Sequence, residues 1–560
     1  MAAAALLLQA QGIASRGIQP QARAKFSGRP WAARFTDISA AAGFTAPVIY
    51  GPEGDVDYIL ETSSGGVAVF DADGDGLLDV FLVGGTRFGQ VPPGAGDRFY
   101  RNLGGNRFEE ATERAGLRRV GWGSAAAVAD YDQDGDPDLL VTYWGDLALY
   151  RNRGDGTFED VTEAAGLKTS ERRWNSGVTF LDYDRDGDLD LFIANYVDYA
   201  IEGVPRPGEN ANCNWKGMPV ACGPRGLPTA TQHLYRNDQG RFLEVSRETG
   251  IADAKGSYGM TAVAADLNDD GWPDIYVACD STPSFLFINQ KNGRFTEEGI
   301  ERGVALDDDG REQAGMGIAI GDYNRDGRLD LFKTHFADDT HILYQNGGNG
   351  FFRDVTISAG LAVETRYVGW GAAMADFDHD GWPDLFLVTG GVYPIADREL
   401  PGYPYRSPRL LFRNLDGARF EQIPPAIGGA ALGDVYSSRG MATGDLDNDG
   451  DLDLVIWNRN DPPTVLRNDL IQGQTPPGAG WVRVAAPIGT RVTAIYGGRR
   501  HTQEVVSQSS FYSSSDPRLH FGIGAAPSVD LEIRWPDGKT ERRLKIPRNS
   551  EIRLAPQAQL

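Results

Sequence analysis

Short apolar segments alternate along most of the chain with turns rich in Asp, Asn and Gly. Ala125–Ala129 precedes such a turn and Leu139–Val141 follows it. Small and β-branched residues bounded by Gly and Asp are typical of strands. A third segment then ends in an aromatic residue, one further residue and Asn, and a Gly-containing turn leads to a fourth, as at Leu149–Asn152 and Phe158–Thr162. This order predicts units of four strands, which are the blades of a β-propeller.

The turn after the first strand of each unit carries one acidic pattern, Asp-x-Asp/Asn-x-Asp-Gly-x-x-Asp, and the pattern occurs seven times. Oxygen ligands at positions 1, 3 and 5, a Gly at position 6 and a carbonyl at position 7 are how a short loop wraps Ca²⁺, and here position 9 would close the site. The predicted side-chain ligands are Asp71, Asp73, Asp75 and Asp79; Asp130, Asp132, Asp134 and Asp138; Asp182, Asp184, Asp186 and Asp190; Asp266, Asn268, Asp270 and Asp274; Asp322, Asn324, Asp326 and Asp330; Asp376, Asp378, Asp380 and Asp384; Asp445, Asp447, Asp449 and Asp453.

One such loop would usually be a solvated turn, since Asp and Gly favour turns for their own reasons. Seven copies with the same spacing favour metal, so we predict about seven bound Ca²⁺ ions. Asn268 and Asn324 each remove one negative charge from their loops, which predicts that these two sites are among the weakest.

The repeat unit is about 50 to 55 residues long, in the range expected for propeller blades. The last unit ends near Asn468 without a fourth strand, and Arg34–Ile38 matches the missing segment. Pairing this N-terminal strand with the last blade leaves no exposed edge. We therefore predict an all-β fold: a seven-bladed propeller over residues 34–470 closed by the N-terminal strand, with an N-terminal tail at 1–33, a linker at 471–480 and a small β domain at 481–555.

The repeats resemble FG-GAP/VCBS propeller repeats of the kind found in integrin α-chains and in cartilage acidic protein-like proteins. The tail resembles the ASPIC/UnbV domain that follows such propellers. The segments that carry this second resemblance are Gly489–Val492, Val505–Ser510, Ser515–Gly524 and Val529–Lys539. Together the two resemblances cover about residues 34 to 555, and they imply a binding scaffold.

Charge and calcium chemistry indicate where such a protein works. The formal net charge is −24, from 54 basic and 78 acidic residues, which argues against nucleic acid as a partner. Extracellular Ca²⁺ modules bind at roughly 10⁻⁴ to 10⁻³ M, so short loops of this type predict an extracellular, periplasmic or cell-surface location. Met1–Ala10 is either the apolar remnant of a secretory signal or an incidental Ala/Leu tail. The sequence predicts no membrane span.

Three cysteines add to this picture. Cys213 and Cys222 lie in a long insertion of the third unit, where a disulfide would staple a loop that has no core of its own. A zinc site there would need more Cys or His nearby. Cys279 ends a strand and is expected to be a small buried hydrophobe.

In an up-and-down blade, the loops after strands two and four lie at the end of the propeller opposite the acidic loops. These are the long loops, and aromatic enrichment on loops is typical of recognition surfaces. The predicted ligand face, for a protein or a glycan, consists of Trp174, Tyr258, Tyr393, Tyr403 and Tyr405. The alternative is that aromatic residues there pack blades together and cap the channel.

Catalysis has little support, because the sequence lacks recognisable hydrolase, metalloprotease and phosphate-loop motifs, and we predict no catalytic residue. His335 and His341 fall together beside Asp338 and Asp339, as a solvated polar loop, a second metal site or an acid/base pair. The enzyme alternative is a Ca²⁺-dependent polysaccharide lyase with an Arg or Lys base on the long-loop face. Against it, Arg172-Arg173 is the only basic cluster that the sequence indicates on that face. The favoured function is a calcium-binding scaffold for ligand binding or adhesion.

Overall fold

Seven four-stranded antiparallel sheets form a ring in the computed structural model, which describes residues 16–470 and 479–555. In each sheet the strands follow one another from the inside to the outside of the blade, and the first strands of neighbouring blades lie side by side around the central channel. The predicted seven-bladed all-β propeller is confirmed. The predicted domain boundaries stay predictions, and Met1–Ala10 lies outside the described residues.

The strands of the first four blades are each three to seven residues long. Blade one consists of Val67–Phe70, Asp79–Leu82, Arg98–Asn102 and Phe108–Glu110; blade two of Gly123–Ala129, Asp138–Tyr143, Leu147–Asn152 and Phe158–Asp160; blade three of Asn175–Leu181, Asp190–Asn195, His233–Asp238 and Arg241–Glu244; blade four of Gly259–Ala265, Asp274–Cys279, Phe285–Asn289 and Phe295–Glu297.

The last three blades follow the same order. Blade five consists of Gly315–Gly321, Asp330–His335, Ile342–Asn346 and Phe352–Asp354; blade six of Gly369–Ala375, Asp384–Thr389, Leu410–Leu415 and Arg419–Gln422; blade seven of Ser438–Gly444, Asp453–Asn458, Thr464–Asn468 and the N-terminal strand Phe35–Asp37. Phe35 pairs with Asn468 and Asp37 with Leu466, so the first strand of the chain closes the ring as predicted.

Helices are short and lie in the connections. The α-helical turns are Ser39–Ala42, Thr112–Ala115, Ala396–Glu399 and Pro425–Gly428, and the 3₁₀ turns are Ile59–Thr62, Ile201–Gly203, Ala211–Cys213, Ile251–Asp253 and Ala430–Gly433. A two-residue hairpin, Asn214–Trp215 with Met218–Pro219, lies in the blade-three insertion.

The C-terminal β domain contains two sheets around its own hydrophobic core. One sheet has the order Arg499–Glu504, Arg491–Tyr496, Ser528–Arg534 and Thr540–Pro547; the other has Leu519–Gly522, Trp481–Ala485 and Ser550–Arg553. This domain lies on the end of the propeller that carries the acidic loops, because its residues contact several of them directly.

A segment of the C-terminal domain, residues 507–516, enters the central channel of the propeller. Ser510 pairs with Ile318 of blade five, and Ser514 with Ala68 of blade one. The carbonyl of Tyr512 accepts the amide of Ala126 in blade two at 3.0 Å. Phe511 and Tyr512 of this segment therefore belong to the hydrophobic core of the propeller, whereas the two sheets of the C-terminal domain pack around a core of their own.

Candidate metal centres

The seven acidic loops adopt the same backbone turn. The Gly at position 6 has a positive φ in every loop, between 84° and 100°. This backbone conformation is unfavourable for residues that carry a side chain. Position 4 is also left-handed in all seven loops, although a Gly occupies it only in loop one. The amide of position 6 donates to Oδ2 of the position-1 Asp at 2.8–3.2 Å. The first Asp is therefore fixed by the turn that follows it.

Carboxylates from positions 1, 3 and 9 converge in five loops. One oxygen from each lies within 4.8 Å of the others in the sets Asp71, Asp73 and Asp79; Asp130, Asp132 and Asp138; Asp182, Asp184 and Asp190; Asp376, Asp378 and Asp384; Asp445, Asp447 and Asp453. Loops four and five carry Asn268 and Asn324 at position 3, so they lack a third carboxylate at that point. Asp274 and Asp330 nevertheless occupy the same strand position as the other position-9 residues.

The predicted ligand at position 5 has a second task. Its Oδ1 accepts the amide of position 7 at 2.9–3.0 Å in all seven loops. One oxygen of Asp75, Asp134, Asp186, Asp270, Asp326, Asp380 and Asp449 is therefore already engaged by the turn. Coordination by position 5 and by the carbonyl of position 7 stays a prediction.

Position 9 connects each loop to the third strand of its blade. The third strand ends at the Asn of the aromatic-x-Asn segment, and the backbone N–H of this Asn donates to Oδ1 of the position-9 Asp at 2.7–2.9 Å. The Asn side chain reaches further: its Nδ2 donates to the position-2 carbonyl in the acidic loop of the preceding blade at 2.8–2.9 Å. The seven residues are Asn102, Asn152, Asn237, Asn289, Asn346, Asn414 and Asn468.

These asparagines form a closed ring of contacts between blades. Asn102 of blade one contacts Leu446 of blade seven, and Asn468 of blade seven contacts Phe377 of blade six. The sequence shows the asparagines only as strand-end markers. Their repetition at one spacing was the sequence signal that these asparagines have a shared role. The hydrogen-bond partner of each lies in the neighbouring blade, so a single repeat does not show it.

Without metal, burial and mutual repulsion disfavour the ionised form of the carboxylates in the loops. Burial, and then the neighbouring carboxylates of the same loop, raise the pKa of Asp79 to about 7, of Asp138 to about 8 and of Asp190 to about 9. The same causes raise the pKa of Asp384 and Asp453 well above the ordinary value. Each loop therefore favours a positive charge at its centre.

The donor chemistry fits a hard divalent cation. Oδ1 of Asp71, Asp73, Asp130, Asp132 and Asp182 is buried and has no hydrogen-bond partner. Buried carboxylate oxygens without a donor are costly. Several carboxylate and carbonyl oxygens around one point are the ligands that Ca²⁺ takes in proteins. These oxygens are where a Ca²⁺ ion would bind.

The C-terminal domain divides the seven loops into two groups. In loops one to three the position-1 Asp is half-buried and the Gly at position 6 is exposed. In loops four to seven the position-1 Asp is covered: Asp266 is 2% exposed, Asp322 0%, Asp376 1% and Asp445 0%. Loops one to three are open to solvent, whereas loops four to seven lie against the C-terminal domain.

Basic residues of the C-terminal domain contact the covered carboxylates. Arg483 lies 2.6 Å from Oδ2 of Asp445, and both side chains are buried. Arg534 lies 2.5 Å from Oδ2 of Asp266, and Arg491 lies 3.3 Å from the same oxygen. The basic excess of the tail, 12 Lys/Arg against 7 Asp/Glu over residues 474–560, thus has an acidic partner within the same chain.

Loops five and six are capped by backbone. The amide of Thr502 donates to Oδ2 of Asp322 at 3.0 Å. A Cβ at Gly522 would overlap Oδ2 of Asp376, so only glycine permits this approach. His379 of loop six lies against His520, whose Nε2 lies 2.9 Å from the carbonyl of Gly450 in loop seven.

The aromatic residues predicted as a ligand face lie at the opposite end of the propeller, where most of them are buried. Trp174 is 0% exposed, Tyr393 4%, Tyr258 5% and Tyr405 8%; Tyr403 is half-buried. The blade-three insertion contacts Trp174, Tyr258, Tyr393 and Tyr403 as it crosses to blade six. Tyr405 instead contacts Arg459 of blade seven. Ligand binding by these residues stays a prediction, and in the described structure they serve as packing.

Aromatic packing and a disulfide hold the blade-three insertion in place. Trp215 packs on Phe336, Tyr393 and Tyr403, with ring centroids 5.2 to 6.0 Å apart. A disulfide joins Cys213 to Cys222. Cys279 is a free, buried thiol whose pKa is raised to about 12 by burial.

The charged groups considered for catalysis have structural partners, whereas both ring nitrogens of His335 and Nε2 of His341 are buried without a hydrogen-bond partner. His335 and His341 are both buried, and burial lowers their pKa, that of His341 to about 4. Asp338 binds Lys216, and Asp339 binds Arg16. Arg173 pairs with Glu171, and Arg172 lies over the ring of Trp144. His335, His341, Asp338 and Asp339 are all buried, so the cluster is not a solvated loop, and its two carboxylates are engaged by Lys216 and Arg16.

Comparison with known proteins agrees with this architecture. The FG-GAP-like repeat model matches residues 71–141, 130–193 and 266–332, and the ASPIC and UnbV model matches residues 484–560. Within the described ranges, no helix has both the length and the apolar character that a membrane crossing requires.

Curated relatives share one name. Cartilage acidic protein 1 of Mus musculus is 28% identical over 322 residues, which cover 54% of this chain and 45% of the mouse protein. The Xenopus tropicalis protein of the same name is 26% identical over 511 residues, covering 85% of this chain and 70% of the frog protein. The chain thus spans about half the length of the mouse relative in that alignment.

Solved structures show only distant likenesses. An Agrocybe aegerita lectin has a TM-score of 0.38 at 16% identity, covering 71% of this chain and 86% of that one. The V. cholerae biofilm matrix protein Bap1 has a TM-score of 0.34 at 11% identity, covering 75% of this chain and 89% of that one. At such scores the ligands of these proteins say nothing about this one. From its repeats, its tail and its relatives, the chain is an FG-GAP-repeat β-propeller with a C-terminal ASPIC/UnbV domain, similar to cartilage acidic protein 1.

Proposed function

We propose that the protein is a calcium-loaded propeller that works outside the cytosol as a scaffold for binding a protein or glycan ligand. The observation that carries the proposal is the convergence of three carboxylates in five of the loops, with buried oxygens that lack a hydrogen-bond donor. Loops four and five share the turn geometry and are included in the proposed count of about seven ions.

Electrostatics supports a structural role for the ion. Two like charges about 4 Å apart cost on the order of 1 to 4 kcal/mol at effective dielectric constants of 80 to 20. Each loop with three converging carboxylates contains three such pairs. A divalent cation would remove this repulsion and would also hold the position-9 Asp, to which the inter-blade asparagines connect.

The proposal places the protein in a compartment where calcium is abundant and disulfides persist. Extracellular calcium modules bind at roughly 10⁻⁴ to 10⁻³ M, far above cytosolic calcium. The disulfide between Cys213 and Cys222 also fits an oxidising environment.

Metal analysis tests the proposal directly. Protein purified in millimolar Ca²⁺ and desalted should retain several ions per chain, and calorimetric titration of the chelated protein should give a stoichiometry near seven. Two or fewer Ca²⁺ per chain would contradict the proposal. Magnesium in place of calcium serves as the control, since Mg²⁺ demands octahedral geometry and gives up its water reluctantly.

The ligand is identified by a separate experiment. An array of glycans and surface proteins, probed with and without Ca²⁺, should show saturable binding that chelation abolishes. The end of the propeller that carries the long loops is the surface to mutate first, beginning with the half-buried Tyr403. Loss of binding in Tyr403→Ala with an unchanged melting temperature would support a ligand site there.

A further inference from the structure

An extended basic segment crosses the outside of the propeller before the first strand begins. Residues 16–34, called the strap below, contain five Lys or Arg and no Asp or Glu. Most strap residues are exposed and have no regular secondary structure. In the described part of the chain, only Ile18 and Gln21 of residues 16–31 donate backbone amides to propeller carbonyls. Side chains, and not a strand ladder, therefore hold the strap in place.

The strap lies on a track of acidic side chains on blades four to six. Arg16 binds Asp339 and Asp307, Arg23 binds Glu364 and Arg29 binds Asp416, while Ser27 donates to Glu421. The track runs from the end of the propeller that carries the long loops to the end that carries the acidic loops. Three strap cations, Arg16, Arg23 and Arg29, form ion pairs on this track. Glu364 and Glu421 are also paired with Arg366 and Arg413 of the propeller.

One position on this track is built differently from the rest. Arg23 and Arg29 are more than half exposed, but the side chain of Arg16 is only 9% exposed. Its guanidinium forms a two-nitrogen contact with Asp339 and a further contact with Asp307. Planar, bidentate contacts with a carboxylate are the geometry that guanidinium recognises and ammonium does not. These carboxylates form a slot for one arginine.

The slot is preformed by groups that do not belong to the strap. Asp339 is 0% exposed, and it accepts hydrogen bonds from Gln313 and from the amide of Thr340. Burial raises its pKa, and the contacts with Arg16 lower it. A buried carboxylate without its cation is strongly unfavourable. If Arg16 left, the slot would keep its shape and would favour another guanidinium.

We propose that this slot and its acidic track form a docking site for a protein partner with an extended, basic segment headed by an arginine. In the described structure the strap of the same chain occupies this site in place of the partner segment. The strap is held at two buried side chains: its own Arg16, and Arg413 of blade six, which donates to the carbonyls of Arg29 and Pro30. A partner segment with the same arginine pattern can displace the strap from its Arg16 end. The slot around Asp339 lies outside the acidic loops, whereas Arg29 and Asp416 at the other end of the track interact electrostatically with Asp380 of loop six.

The test uses full-length chains and a fluorescent peptide of residues 16–31. In the chain with Arg16→Ala, Arg23→Ala and Arg29→Ala, the cis strap is weakened and the peptide should bind more tightly than to wild type. Truncating one member of a buried charge pair costs at least about 2 kcal/mol, so adding Asp339→Asn should weaken binding at least about 30-fold. Asp309→Asn, an exposed carboxylate nearby, is the matched control and should change nothing.

Peptide variants define the partner class. A peptide with the strap's arginine spacing but otherwise shuffled residues should still bind, whereas an Arg16→Lys peptide should bind at least about 10-fold more weakly, because the bidentate contact is lost. No binding to the triple variant, or binding unaffected by Asp339→Asn, would overturn the proposal.

Hydrogen exchange of the wild-type chain gives a second reading if the triple variant does not fold. Excess peptide should raise exchange at the hydrogen-bonded strap amides, those of Ile18, Gln21 and Ser27, and leave the blades unchanged. Unchanged exchange in the strap at saturating peptide would equally overturn the proposal.

Discussion

Replacing Arg483 by alanine should destabilise the protein much more without calcium than with it. Arg483 is 6% exposed and lies 2.6 Å from Asp445, the 0% exposed first ligand of loop seven. Without metal, the truncation leaves that carboxylate buried and unpaired, and breaking such a pair costs about 3 to 5 kcal/mol. With calcium bound, the ion compensates the same carboxylate, and the remaining loss is that of a hydrogen bond, about 1 kcal/mol.

Denaturant unfolding of wild type and Arg483→Ala, in excess Ca²⁺ and in EDTA, measures the two costs. Arg500→Ala is the matched control: this arginine also lies in the C-terminal domain, but it is 51% exposed, and exposed ion pairs contribute about 0 to 1 kcal/mol. An equal or larger cost of Arg483→Ala in calcium would show that the arginine and the ion do not share Asp445, and it would refute the reasoning.

Three further outcomes follow from the structure. Alkylation without reductant should label one thiol at most, and only after unfolding, since Cys213 and Cys222 are bonded and Cys279 is buried; intact mass checks this, and three labelled thiols would contradict it. Asn152→Ala removes two Nδ2 hydrogen bonds, to Ala72 in the preceding blade and to Pro137, and should cost about 1 to 3 kcal/mol in urea unfolding; a cost below about 0.5 kcal/mol would show that the ring of asparagines does not couple blades. A brief exposure to chelator, followed by metal analysis, should remove the ions of loops one to three before those of loops four to seven; release in a single phase would contradict the division made by the C-terminal domain.

The repeats made the propeller and its loops predictable from sequence. The order of the ligands along each loop is local, so the spacing from Asp71 to Asp79 already determines which carboxylates converge. The closing strand was also visible, because Arg34–Ile38 repeats a segment found in the other blades. Local pattern and repetition are sufficient for features of this kind.

Contacts between distant segments were not predictable in the same way. Arg483 and Asp445 meet because the C-terminal domain sits on the acidic loops, and no local pattern encodes that docking. The burial of Trp174 and Tyr393 follows from the path of the blade-three insertion across the channel, which composition cannot show. The second task of Asp75, accepting the amide of Leu77, needs the backbone geometry of the turn.

The melting temperature of the wild-type protein in Ca²⁺ and in EDTA tests the central claim most directly. At free Ca²⁺ about 100 times the Kd, each site adds about 2.7 kcal/mol, so a few sites match the roughly 5 to 15 kcal/mol by which folded domains are usually stable. Chelation should therefore lower the melting temperature markedly, and Asp182→Ala should lower it in Ca²⁺ but not in excess EDTA. If wild type melts at the same temperature in both conditions, the seven loops are ordinary turns and the calcium-scaffold account is wrong.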